Sequence, residues 1–278
     1  MEHLFTRHTF RFIDHSFSSM LDHFAIDDTL SELVGQKKSI DTIRYWVVNE
    51  TIALGIQDQK LPFLQDGIAY LKQEGYDAFF RPSGGLAVVL DAGIMNLSLI
   101  LPEKEYHVTI DNGFLAMVAL VKMWLAPYVQ NIDVKEITES YCPGKYDVSV
   151  GGKKFAGLSQ RRVKGGVGIF IYIAVEGSGK KRAELIRTFY ETSIQQEKTS
   201  IPYPNVNPNV MASVSELTGQ PITCDMLKQE LVHVLLREQN TLDTRFLSAE
   251  EWTLFETYKQ RMKHRQQRYF PSLKKRSE

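Results

Sequence analysis

Cys142 stands between Tyr141 and Pro143-Gly144 at the end of a strand-like run, and Lys154 follows the pair Gly151-Gly152. A thiol at a Pro-Gly turn is placed to be reached, and its thiolate is a nucleophile for carbonyl carbon. The competing reading is the buried, inert residue that a lone cysteine ordinarily is. An unperturbed thiol, with a pKa of roughly 8.5, is mostly protonated at neutral pH, and a neighbouring ammonium raises the reactive fraction. Gly151-Gly152 is a two-residue hairpin signal between Tyr146 to Val150 and Lys154 to Leu158, and the hairpin returns Lys154 toward the segment that carries Cys142. A solvated strand lysine is the alternative for Lys154 and the preferred reading for Lys153.

Ser83-Gly84-Gly85 offers backbone N–H groups to a carbonyl or phosphate oxygen, although a plain β-turn explains the same residues, as it does for Gly165-Gly166. The chain has neither a GxxxxGK[ST] phosphate loop nor a GxGxxG fingerprint, and no GxSxG elbow for a serine nucleophile. Its seven histidines form no HExxH pair, so no metal site is expected. Arg161, Arg162 and Lys164 form a basic run that reads either as a solvated face or, close to a reactive centre, as a steering patch for an acidic protein partner.

Lys+Arg and Asp+Glu balance at 33 each, which removes the electrostatic footprint of broad nucleic-acid binding. Cys142 and Cys224 are the only cysteines, too few for a disulfide framework or a four-cysteine zinc site, and a reducing, cytoplasmic setting fits them. Met1 to Phe12 lacks the apolar core of a signal peptide, and no apolar run approaches the roughly 20 residues of a membrane span. A soluble protein without a membrane partner is expected.

The elements that must position the thiol and the ammonium alternate along the chain. Thr9 to Asp14 reads as a strand and Ser18 to Leu33 as a helix. Ile43 to Val48 and Thr51 to Ile56 read as a hairpin about Asn49-Glu50. Pro62 opens and Gly75 closes a helix. Asp77 to Arg81, Leu86 to Leu90 and Met95 to Leu101 read as an antiparallel meander around the glycine loop. Asp111 to Tyr128 is a helix, and Val134 to Thr138, the Gly-Gly hairpin and Val167 to Val175 make a second β region. From Lys180 onward the signals are helical, interrupted by the proline-rich loop Ser200 to Asn209, with a Ser248/Glu251 capping box before the last helix and a basic tail from Lys263 to Lys275. The expected fold class is α+β, a mostly antiparallel sheet with flanking helices, in one domain over residues 1–278: a core of about 11–198 and a helical C-terminal extension of about 210–278.

Several separated blocks resemble the lipoate-attachment family of ligases and transferases. They are Phe24 to Asp27 (FAID), Gly55 to Asp58 (GIQD), Arg81 to Asp91 (RPSGGLAVVLD), Asn96-Leu97-Ser98, and Gly152 to Gly157 (GKKFAG) with Ser159-Gln160. They run in order from about Arg11 to Val175. The resemblance implies the catalytic-domain fold shared with biotin protein ligases, with an acyl tunnel beside the glycine loop. It places Arg81, Ser83, Gly84, Gly85, Leu86, Ala87, Ala156 and Gly157 at the substrate, and alternation along the strand puts Leu86 and Val88 on the tunnel wall. ATP-using ligases of the family carry a third glycine and a histidine where this chain has Leu86 and Leu90, and they lack a counterpart of Cys142. Leu61 to Gly67 (LPFLQDG) and Ser140 to Gly144 (SYCPG) are most similar to the octanoyl amidotransferases of Gram-positive bacteria.

That resemblance implies a donor, octanoylated glycine cleavage H protein, and acceptors, the lipoyl domains of 2-oxoacid dehydrogenase complexes. Cys142 would carry the octanoyl or lipoyl group as a thioester, Lys154 would stabilise the thiolate and protonate the departing amine, and no cofactor would be needed. Backbone amides near Ser83-Gly84-Gly85 or near Lys154 are candidates for the oxyanion site. Three other readings stay open: transfer from octanoyl acyl carrier protein, ATP-dependent lipoate ligation, and a non-catalytic carrier-binding module.

Overall fold

The longest apolar strands, Ile94–Pro102 and Gly166–Ala174, pair antiparallel along their full lengths in the computed structural model, which describes residues 4–270. They are β6 and β10 of a molecule whose earlier elements are β1 (Thr9–Asp14), α1 (Met20–Gly35), β2 (Thr42–Trp46), β3 (Thr51–Leu54), α2 (Leu64–Gln73), β4 (Asp77–Phe80) and β5 (Val88–Leu90). Between β6 and β10 come α3 (Ile110–Leu125), β7 (Asp133–Val134), β8 (Val148–Val150) and β9 (Lys153–Val163); after β10 come α4 (Gly179–Ile194), α5 (Val214–Thr218), α6 (Cys224–Arg237), β11 (Thr241–Asp243) and α7 (Ala249–Tyr269). One eight-stranded sheet has the order β11-β1-β2-β6-β10-β9-β8-β7, and a three-stranded sheet has the order β4-β3-β5. The large sheet is antiparallel except at one edge, where β1 runs parallel to both β2 and β11.

Period-two alternation assigns the two faces of β6 different work. Met95, Leu97, Leu99 and Leu101 join a core with residues of α3 and α6, whereas Asn96 and Ser98 point to a cavity between the large sheet, α1 and the small sheet. α1 buries Asp27, Asp28, Thr29 and Ser31, a polar face tolerated because Arg44 pairs with Asp27 and Arg161 with Asp28. Gln266 of α7 donates to Phe80 O and accepts from Phe80 N–H, mimicking a further strand at the edge of the small sheet just before Arg81.

The Gly-Gly hairpin, the capping box at Ser248 and the turn at Gly165 form as expected. Three expectations are corrected. Asn49-Glu50 joins no hairpin, since β2 lies in the large sheet and β3 in the small one. The meander is also absent: β4 and β5 flank β3, with β4 parallel to it, and β6 belongs to the other sheet. Both differences have one cause: strands adjacent in sequence need not be neighbours in a sheet, and here consecutive strands divide between two sheets. The C-terminal region, read as wholly helical, contributes β11 to the sheet edge, and β7 is only two residues long. The end of the basic tail lies outside the described residues.

Candidate active site

The two turns foreseen as chemically active meet across the cavity. Arg81 leaves β4 with its N–H still donating to Leu54 O, and the chain then reverses through Ser83, Gly84 and Gly85 before β5. Gly85 has φ +105°, and a Cβ there would lie 2.2 Å from Arg81 Nη2 and 2.9 Å from Cys142 Sγ. Only glycine permits this approach. Gly84, by contrast, faces open space within the cavity wall.

Cys142 occupies the left-handed region (φ +47°), a conformation that a non-glycine residue holds only when its surroundings impose it. Those surroundings are Lys154 and Asp147. The Lys154 ammonium, fully buried, donates to Ser140 Oγ (3.2 Å), Tyr141 O (3.1 Å) and Cys142 O (2.8 Å) and pairs with Asp147 Oδ1 at 2.9 Å. Asp147 Oδ2 accepts the N–H groups of Ile137 and Gly144, both at 3.1 Å. Burial raises the Asp147 carboxyl above its ordinary range, against the pull of Lys154 and the two N–H donors.

Among the described residues, the donors to Cys142 Sγ are the Leu86 N–H and Arg81 Nη2, each at 3.2 Å. An amide N–H and a guanidinium aimed at sulfur stabilise negative charge there. Against the expectation that Lys154 lies at the sulfur, its ammonium sits on the carbonyl side of the same residue, where Asp147 and the loop oxygens hold it. The other cysteine is a different case. Cys224 is buried, and burial beside Glu176 pushes its thiol up to about 12.

The cavity has a volume of about 320 Å³, at the small end for small-molecule sites. Its wall includes Arg81, Ser83, Gly84, Gly85, Cys142 and Gly157 among the expected residues, and Val88, Leu90, Phe24 and Phe170 supply apolar surface. Gly157 leaves room for the Tyr172 ring, which a Cβ would meet at 2.7 Å. Leu86 and Ala87 meet the site through their backbones instead of lining it: Leu86 donates to the sulfur, and Ala87 N–H donates to Tyr190 Oη at 3.1 Å. Ala156 is corrected outright, since it lies in the core on the opposite side of β9. Arg161 is no free steering charge, being paired with Asp28 and donating to Pro82 O at 3.2 Å.

Several site residues had no signal in the sequence. Asp147, Tyr172 and Trp46 are brought in by packing, with Trp46 Nε1 buried on the cavity wall and without a protein partner among the described residues; Asn96 Nδ2, from a block that the sequence does mark, is buried there likewise. Asp58 is fully buried, accepting from Gly55 N–H at 2.7 Å and from Tyr190 Oη–H at 3.0 Å, and burial pushes it up to about 7. A raised carboxyl favours the folded state fully below its unfolded value of about 4, and that contribution fades as pH rises toward 7. Unfolding midpoints from pH 4 to pH 7 should therefore fall further in the parent than in Asp58→Asn; parallel curves would show that Asp58 does not titrate there.

A family model described as the lipoyl protein ligase A/B catalytic domain matches residues 19–236. "Octanoyl-[GcvH]:protein N-octanoyltransferase" of Geobacillus kaustophilus is 49% identical over 252 residues, covering 89% of each chain. "Lipoyl-[GcvH]:protein N-lipoyltransferase" of Listeria monocytogenes is 43% identical over 263 residues, covering 93% of this chain and 95% of its own. Among solved structures, lipoate-protein ligase A bound with ATP superposes with a TM-score of 0.70 at 15% identity, covering 91% of this chain and 94% of that one. The bi-partite lipoate protein ligase of Thermoplasma acidophilum does so with a TM-score of 0.66 at 15% identity, covering 91% and 92%. These two share the fold. With a family model spanning most of its length and relatives of more than 40% identity along nearly all of it, the chain belongs to the lipoyl protein ligase A/B catalytic domain family.

Proposed function

We propose that this protein moves an octanoyl or lipoyl group from the lysine of glycine cleavage H protein to lysines of lipoyl domains, with Cys142 as the transient acyl carrier. The observation that carries this reading is the thiol itself, on the cavity wall with an amide N–H and a guanidinium 3.2 Å from its sulfur. Relatives named for transfer from GcvH support the donor. No helix among the described residues is long and apolar enough to cross a membrane, and we place the reaction in the cytoplasm.

The steps balance without a nucleotide. The Cys142 thiolate attacks the amide carbonyl carbon, and the tetrahedral intermediate expels the donor lysine's amine, which must leave protonated. The acceptor lysine then attacks the thioester, loses a proton and releases the thiolate, so one amide replaces another. Arg81 Nε is a buried N–H without a partner among the described residues, and we assign it to the developing oxyanion. A guanidinium does not surrender protons at working pH, so we assign the proton that leaves with the donor amine to the Lys154 ammonium, which regains one when the attacking acceptor amine loses its own in the second transfer.

Intact mass spectrometry tests the reading. Octanoylated H protein should place an adduct on Cys142 that hydroxylamine removes and that a lipoyl domain discharges. An adduct formed only from octanoyl acyl carrier protein, or acylation that needs octanoate plus ATP, would replace the proposed donor. Each buried methylene contributes about 0.8 kcal/mol, so a cavity of about 320 Å³ should favour eight carbons and reject sixteen. Equal turnover of a hexadecanoyl donor would discredit the pocket.

A further inference from the structure

The block Gly55 to Asp58 carries none of the proposed chemistry, yet it closes a chain of contacts that ends at the reactive sulfur. Asp58 accepts from Gly55 N–H and from the Tyr190 hydroxyl; that hydroxyl accepts the Ala87 N–H at 3.1 Å; and the next amide back along the chain, Leu86 N–H, donates to Cys142 Sγ at 3.2 Å. On the other side of the same turn, Gly55 lies so close to Gly85 that a Cβ would fall 1.8 Å from Gly85 O and 2.9 Å from Leu86 Cα. Asp58 and Tyr190 are buried and lie 132 residues apart in the chain.

We infer that Asp58 and Tyr190 are positioning residues which, together with the close face of Gly55, fix the Gly85-Leu86-Ala87 turn so that the Leu86 N–H points at the Cys142 sulfur. The reason is geometric. The turn contains a glycine at positive φ and has few orientations excluded by its own side chains, so the direction of the Leu86 N–H must be imposed from outside. A hydroxyl gripping the adjoining amide, itself held by a buried carboxyl, does this from one side, and backbone contact at Gly55 does it from the other. Neither Asp58 nor Tyr190 lines the cavity, so neither acts on the acyl group directly.

The inference rests on Cys142 being the acyl carrier, but it can be read without an acyl substrate, through alkylation of Cys142 by iodoacetamide across pH. Tyr190→Phe keeps the ring and removes the grip. Its alkylation profile should move upward by about one pH unit, with roughly a tenfold slower reaction at pH 7, the size expected for a misdirected hydrogen bond to charged sulfur. Gly55→Ala should displace the profile in the same direction with both polar groups intact. Asp58→Asn combined with Tyr190→Phe should add little to Tyr190→Phe alone. Tyr203→Phe is the control, removing a neighbouring hydroxyl that donates to Gln57 O and contacts neither the Asp58 carboxyl nor the Ala87 N–H. A folded Tyr190→Phe protein with the parent profile, or a Tyr203→Phe protein displaced as far, would overturn the inference. Loss of acyl transfer in Cys142→Ala tests the carrier role separately.

Discussion

Cys142→Ala should abolish the acyl adduct and reduce transfer between carriers by at least about 10⁴-fold, since removal of a covalent nucleophile costs more than any binding contact. Folding should survive, because the thiol is only partly buried and its left-handed backbone is held by Lys154 and Asp147 through the main chain. The measurement is single-turnover transfer from an octanoylated donor, with mass spectrometry of the enzyme. Cys224→Ala is the comparison, expected to transfer at nearly the parent rate because its thiol lies buried near Ala92, away from the cavity. Parent-rate transfer by the Cys142→Ala protein would refute the covalent route.

Lys154→Ala is expected to damage both stability and activity. It strips Asp147 of its cation in a site where both side chains are nearly inaccessible (0% and 2% exposed), and it releases three loop oxygens. Breaking a buried pair by removing one partner costs about 3–5 kcal/mol, or a fall in Tm on the order of 10 °C for a chain of this size. Lys154→Met with Asp147→Asn should recover part of that stability by removing the orphaned charge, while transfer stays low. Lys154→Arg separates the two roles given to this residue. Arginine can keep the charge pair yet cannot exchange a proton. A well-folded Lys154→Arg enzyme that acylates slowly supports proton carriage, and one that acylates at the parent rate leaves Lys154 a positioning residue only.

The close contact of Gly55 with Gly85 shows why short motifs can be recognised in a sequence without being understood there. Gly55-Ile56-Gln57-Asp58 reads only as a family signature, and its physical content appears when Gly85 and Tyr190 arrive from elsewhere in the chain. The same holds for Lys154. The Gly151-Gly152 turn, with both residues at positive φ, determines that Lys154 returns to the cysteine loop. Which side of Cys142 it meets depends on the Asp147 carboxylate, which nothing in the local pattern singles out.

By itself the sequence determined the features that local chemistry imposes: the α+β class, the Gly-Gly and Gly165 turns, the capping box of the last helix, and one cysteine set at a Pro-Gly turn. Turn residues, caps and hydrophobic period act over a few positions, so they can be read in place. Only the tertiary structure decided that β3 leaves its neighbour for a second sheet, that Ala156 faces the core while Gly157 faces the cavity, and that Arg81 and Leu86, not Lys154, touch the sulfur. Those outcomes depend on which distant strands pair and which buried charges find each other. They are settled by the packing of the whole molecule, which no local window contains.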